Sequence, residues 1–230
     1  MNERTALTSD LADAVSSHQH HESIETEIQI AAAGRHSYAL TTNEVWAWGD
    51  NTNGNLGLNS YEEVVKTPQR IALRVSNLAS SSSHAFAWNE TEVYGWGSNL
   101  NFELGLKETK HYPITKLQYF QEAFDGGFRV LHLAAGESHS LAVVCMNDNK
   151  KRLFAWGNGK AHQLTVDSNY LVPYPILCEF DKEVDRVYAN SDYSVAVVGT
   201  EIYSWGSDVF GRLGMQINSK VQKTPKKIAV

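Results

Sequence analysis

A pentapeptide that occurs four times in phase constrains this chain more than any other feature. Val45-Trp46-Ala47-Trp48-Gly49, Val93-Tyr94-Gly95-Trp96-Gly97, Leu153-Phe154-Ala155-Trp156-Gly157 and Ile202-Tyr203-Ser204-Trp205-Gly206 all read aliphatic, aromatic, small, Trp, Gly. Eight residues after each tryptophan stands a leucine: Leu56, Leu104, Leu164 and Leu213. Gly57, Gly105 and Gly214 follow three of these leucines, and Thr165 follows Leu164. Upstream, His36 and His84 lie twelve residues before their tryptophans, and Tyr193 takes that place in the fourth copy. His139 lies seventeen residues before Trp156, because "MNDNKKR" lengthens the intervening hairpin. A phased unit of this size cannot cover its own apolar faces, so successive copies must stack on one another.

Within each copy the pattern alternates with period two between turn signals, which is the signature of short strands in an all-β repeat architecture. Four strands are expected per copy; in the first they are "IQIAAAG", "HSYALTT", "VWAWG" and "TPQRIAL", with a tight turn at "TNE" between the second and third. Strand alternation puts Trp46 and Trp48 on one face and Ala47 on the other. Small residues at 47, 95, 155 and 204 let a neighbouring sheet come close, and the tryptophans fill the space between sheets. Trp48, Trp96, Trp156 and Trp205 are therefore expected to be equivalent inter-sheet residues. Trp88, on the second strand of one copy only, is expected to matter less. The glycine after each tryptophan implies positive φ or a close backbone approach.

"AAAGRHSYAL", "AAGESHSLAV", "VWAWGDNTNGNLG" and "IYSWGSDVFGRLG" resemble the repeats of the regulator of chromosome condensation family almost position by position, and the resemblance covers about residues 28–230. It implies an all-β fold, a β-propeller built of four-stranded blades, with four repeats present at about 28–72, 73–127, 128–181 and 182–230. The departures are local: Ser81 and Ser82 stand in place of glycines, Tyr193 in place of a histidine and Thr165 in place of the closing glycine, so those turns should be built differently. Propellers of this family close with seven blades. Four repeats are read as a short variant whose C-terminal strand joins the first blade, as an open arc, or as a piece of a longer product. Open strand edges invite pairing, so self-association through the open blade edges is expected if the arc is open.

Charge is concentrated at the start. Residues 1–28 carry Glu3, Asp10, Asp13, Glu22, Glu25 and Glu27 against Arg4, most of the formal net charge of −6. Residues 1–27 read as a disordered acidic tail, too poor in large apolar groups to offset the entropy of ordering. His18, His20 and His21 lie in that tail, where nothing preorganises a metal site. No apolar run approaches a membrane span, and no secretory leader pattern opens the chain. Cys145 and Cys178 each lie in an apolar run and read as reduced, buried thiols of a cytoplasmic or nuclear protein.

The titratable residues follow the repeat rather than forming a distinguished site. His36, His84 and His139 recur in phase and read as hydrogen-bonded blade residues; "SSSSH" reads as a degenerate turn. "GDNTNGNLG" holds Asp50, Asn51 and Asn53 without the spaced carboxylates of a calcium loop. No catalytic residue, cofactor or metal ligand is assigned, and the chain is not read as an enzyme. The family resemblance implies a protein–protein interaction scaffold, with guanine-nucleotide exchange on a Ran-like small GTPase as the alternative. Exchange would need a protruding element, and "MNDNKKRL" (146–153) and "KETKHYPITKLQYFQEAFDGGF" (107–128) read as surface loops instead. The nearly neutral repeats behind an acidic tail lack the electrostatic term that drives nucleic-acid or chromatin binding. An ultraviolet-B-sensing branch of the family relies on Gly-Trp-Arg-His-Thr motifs; Gly34 stands where that Trp would be, so photoreception is not expected.

Overall fold

The computed structural model describes residues 28–42, 44–60, 62–124, 127–165 and 170–229. The acidic tail and its histidines lie outside the described residues. Among the described residues, sixteen strands form four separate four-stranded antiparallel sheets. Blade one comprises β1 (Gln29–Ala33), β2 (His36–Thr41), β3 (Glu44–Asp50) and β4 (Val64–Ile71). Blade two comprises β5 (Asn77–Ser80), β6 (His84–Trp88), β7 (Val93–Ser98) and β8 (His111–Lys116). A short helix, α1 (Tyr119–Phe124), leads into blade three: β9 (Phe128–Ala135), β10 (His139–Met146), β11 (Lys151–Asn158) and β12 (Leu171–Leu177). Blade four comprises β13 (Arg186–Asn190), β14 (Tyr193–Val198), β15 (Glu201–Ser207) and β16 (Val221–Lys227).

The innermost strands run in sequence, β1 against β5, β5 against β9 and β9 against β13, as blades of a propeller do. The turns after them line one axial recess of about 340 Å³ that includes Gly34, Ser81, Gly136 and Ser191. No comparable contact links β13 back to β1 among the described residues. The last strand, β16, pairs with β15 of its own blade and does not join the first. The described blades form an open arc.

Each Trp-Gly step has the same physical reason. Gly49, Gly97, Gly157 and Gly206 have φ of 109°, 95°, 99° and 100°. A Cβ there would lie 2.4–2.7 Å from the carbonyl oxygens of Arg35, Ser83, Ser138 and Asp192, so no other residue fits. Three blades also tie the third strand to the fourth with an ion pair: Arg70–Glu44 at 2.8 Å, Lys116–Glu92 at 2.6 Å and Lys227–Glu201 at 2.6 Å. These pairs are exposed, so each contributes little.

Two expectations are corrected. The segment 107–128 is not a surface loop: it supplies β8 and α1, and Phe120 of α1 is buried against Phe128, Phe154 and Trp156. Trp88 is buried too, with its ring edge-on to His132 of blade three. The segment 146–153 runs from the end of β10 through the hairpin turn into β11, and Arg152 braces it on Asp148.

Candidate protein-interaction surfaces

The repeat's polar side chains are consumed between blades. Trp156 Nε1 donates to the Glu103 carbonyl of the preceding blade at 2.7 Å, and Ser140 Oγ donates to the same oxygen at 2.7 Å. Ser140 Oγ in turn lies 2.9 Å from His84 Nε2. With its own proton committed to the carbonyl, Ser140 accepts, so His84 carries hydrogen on Nε2. The next junction repeats this arrangement: Trp205 Nε1 and Ser194 Oγ both donate to the Gln163 carbonyl at 2.8 Å, and His139 Nε2 lies 2.9 Å from Ser194 Oγ. Each such pin joins a histidine, a serine, a carbonyl and a tryptophan across two blades. Burial pushes the pKa of His84 and of His139 down to about 3, which holds both neutral.

The junction between blades one and two is built differently. Ala85 occupies the serine position, and His36 Nε2 is buried with no hydrogen-bond partner among the described residues. Tyr38 compensates in part: its hydroxyl donates to the Asn55 carbonyl, and Trp96 Nε1 lies 3.1 Å from both oxygens. Of the three phased histidines, His84 and His139 are the hydrogen-bonded blade residues expected, while His36 lacks the bond at Nε2.

The four tryptophans are not equivalent. Trp96, Trp156 and Trp205 are fully buried under a preceding blade, whereas Trp48 is half-buried on the face of blade one that no described blade covers. Cross-strand register places Ile30, Ala39 and Trp46 on that face, and likewise Ala32, Ser37 and Trp48. At the opposite end of the arc the uncovered face of blade four carries Val195, Val197 and Ile202, each only half-buried. Their counterparts Tyr38, Leu40 and Val45 in blade one are buried.

A third surface lies along the loops between the third and fourth strands of the blades. Asn51 ties its loop by donating to the Ser60 and Glu62 carbonyls and accepting from Leu56 N; Asn99 does the same with Leu106, Glu108 and Leu104. Asn51 is thus a loop brace rather than part of an ion site. Leu100, Tyr170, Val209 and Phe210 stand exposed on the loops of three successive blades, with Leu171 exposed at the start of β12. Phe210 is 98% exposed and has φ of 69°. A bulky residue held in the left-handed region and displayed to water is strain of the kind found at binding sites. The turn string "SDVFGRLG" held that signal, hidden by the match of its other residues to the repeat.

Cys145 and Cys178 are free and buried, and burial pushes the Cys178 thiol up to about 12. Ser81 Oγ lies 3.0 Å from His84 Nδ1 and stays within its own turn. Lys220, Lys223, Lys226 and Lys227 are exposed on the last loop and strand. No helix among the described residues is long and apolar enough to cross a membrane.

A family model described as regulator of chromosome condensation (RCC1) repeat matches residues 42–88 and 90–143, and a second model of the same description matches residues 28–55. BTB/POZ domain-containing protein 1 of Schizosaccharomyces pombe is 35% identical over 109 residues, which are 44% of this chain and 8% of that protein. The Ultraviolet-B receptor UVR8 of Arabidopsis thaliana is 27% identical over 201 residues, 81% of this chain and 42% of the relative. This chain spans less than half the length of these curated relatives. The solved structure of Prp20p from Saccharomyces cerevisiae, a protein described with its binding to Gsp1p and histones, superposes with a TM-score of 0.74 at 24% identity, covering 90% of this chain and 51% of that one.

Proposed function

The chain belongs to the regulator of chromosome condensation repeat family, and from that membership we propose that it is a non-enzymatic protein–protein interaction scaffold acting in the cytoplasm or nucleus. One contrast carries the reading: the phased histidines His84 and His139 are locked between blades, while apolar side chains stand in water on the loops. His84 and His139 are buried, neutral and bonded to serines, so neither is free to act as a base. Cys178 is held as a thiol. Rigid blades that hold exposed loops suit recognition. The loops of blades two to four, with Leu100, Tyr170 and Phe210, are the recognition surface on this reading. Affinity capture with the intact chain and a Tyr170→Ser/Phe210→Ser variant, followed by mass spectrometry, tests it. Partners retained by the intact chain and lost from the folded variant support it; identical recoveries refute it.

A second reading is regulation of a Ran-like small GTPase, supported by family membership and by the likeness to Prp20p, whose described partners include Gsp1p. Its test is release of labelled GDP from such a GTPase with and without this chain. Acceleration over the spontaneous rate establishes exchange, and an unchanged rate removes it.

A further inference from the structure

Two of the four blades display a threonine to solvent in the same way. The outermost strand of each blade bulges opposite its phased tryptophan. In blade one Ala47 pairs with Gln69 and Gly49 with Val65, so Lys66, Thr67 and Pro68 stand opposite Trp48 alone. In blade four Ser204 pairs with Lys226 and Gly206 with Gln222, so Lys223, Thr224 and Pro225 stand opposite Trp205 alone. Thr67 and Thr224 are exposed, as are Lys66, Arg70, Lys223 and Lys227 around them. Blades two and three bulge at the same place with Pro113 and Ile114, and with Pro173, Tyr174 and Pro175. The bulge therefore uses a proline but needs no threonine before it. Yet both Thr-Pro pairs of the sequence lie here, each with a lysine before the threonine and a base three residues after it: Lys66-Thr67-Pro68-Gln69-Arg70 and Lys223-Thr224-Pro225-Lys226-Lys227.

We propose that Thr67 and Thr224 are phosphorylated by a proline-directed serine/threonine protein kinase that reads a base at the third residue after the threonine. Each element of that recognition is on display. Proline has no N–H and a fixed φ, and it holds the residue before it extended, so a kinase slot that asks for no backbone donor accepts it. The strand around it is extended, and its outer edge has no partner strand among the described residues, so the kinase cleft meets its substrate already in an extended shape. Arg70 and Lys227 are held by Glu44 and Glu201 in exposed pairs, weak enough to exchange for an acidic subsite of the kinase. The Thr67 hydroxyl accepts from the exposed Gln69 amide at 3.2 Å, and Thr224 accepts through its backbone carbonyl from Gln222 at 2.9 Å. In the transfer the γ-phosphorus of Mg-ATP bonds to the threonine Oγ1, its bond to the β,γ-bridging oxygen breaks, and ADP leaves. The hydroxyl proton passes to the kinase's catalytic aspartate. The product adds a charge of about −1.5 to −2 beside Lys66 in blade one and beside Lys223 and Lys226 in blade four, where it is attracted rather than repelled.

The inference makes no use of the exposed loops and goes beyond the scaffold reading, so either can fail without the other. The folded chain is incubated with a purified cyclin-dependent protein kinase and Mg-ATP, and mass spectrometry counts and locates the phosphates. Phosphate is expected at Thr67 and at Thr224, and none on the Thr67→Ala/Thr224→Ala chain. Arg70→Gln and Lys227→Gln should each slow phosphorylation of its own threonine about tenfold, the factor expected of one lost charge-assisted bond, and leave the other threonine unchanged. All four side chains are exposed on outer strands, and circular dichroism checks that the variants keep the fold of the parent chain. A folded chain that takes up no phosphate overturns the proposal. So does uptake only after the chain is unfolded, or at only one of the two threonines, since the bulges would then not present them alike. Equal incorporation in the double alanine variant, or unchanged rates in both glutamine variants, overturns it as well.

Discussion

The junction between blades one and two and that between blades three and four are made of the same strands, yet they are locked by different chemistry. At the later junction His139 Nε2, Ser194, the Gln163 carbonyl and Trp205 are joined in one chain of hydrogen bonds, although His139 Nδ1 is buried without a partner among the described residues. At the earlier one Ala85 replaces the serine, His36 Nε2 is orphaned, and Tyr38 takes over the carbonyl. A repeat fold therefore does not need one conserved latch. It needs a filled interface and a satisfied carbonyl, and two solutions coexist within one chain.

Tryptophan replacement separates covered from uncovered faces most strongly. Trp156→Ala and Trp205→Ala each leave a large cavity and should destabilise by about 3–5 kcal/mol. Trp48→Ala should cost ~1 kcal/mol, because only part of its ring is out of water. Trp88→Ala belongs with the costly group, since that ring is buried between blades two and three. Urea midpoints rank the four; equal midpoints for Trp48→Ala and Trp156→Ala would break the distinction.

Acid should expose the two pinned histidines next. Their folded pKa of about 3 lies below the ordinary value of 6.5, so the unfolded chain binds protons first as pH falls. Stability is then full above about pH 6.5 and declines toward pH 3, by about 1.4 kcal/mol per histidine per pH unit. His36 is also lowered, by burial, with the Ser81 backbone and Asp50 opposing. Denaturation between pH 7 and 4 should show a shallower slope for His84→Gln and for His139→Gln than for His36→Gln. Parallel slopes for all three would count against the pins.

The latch itself can be removed or installed. Ser194→Ala strands His139 and should cost about 1–3 kcal/mol. Ala85→Ser offers His36 a hydroxyl and should stabilise by about 1 kcal/mol where it fits. Thermal melts read both, and a stabilising Ser194→Ala would contradict the assignment. The smallest effect is expected at Thr165, which has φ of 63° where Gly57, Gly105 and Gly214 have 66°, 70° and 69°. Thr165→Gly should relieve roughly 1 kcal/mol of backbone strain, and a lower melting temperature would show that the threonine side chain matters more than its backbone.

Much of this was legible in the sequence. Alternation and the phased Trp-Gly step gave the strands of each blade, because period-two burial and a forced close approach leave marks on single residues. The status of Trp48 and Trp88 was not, since burial there depends on which blade stands opposite. The His36 defect was hidden for the same reason: its missing partner is Ala85, one repeat further on. The segment 107–128 read as a loop because α1 is a single short element whose Phe120 fills a gap between blades, with no periodic run to announce it. Asn51 read only as part of a stretch without a calcium loop's spaced carboxylates, and only the loop backbone around it shows what it braces.

Exchange of the four indole N–H protons with solvent tests most directly whether covered faces are pinned and the first face is open. NMR follows each proton after transfer to heavy water. Slow exchange is expected for Trp96, Trp156 and Trp205, each bonded to a carbonyl of the preceding blade. Fast exchange is expected for Trp48. Equal protection of all four would contradict the open first face, and fast exchange at Trp156 or Trp205 would contradict the pins.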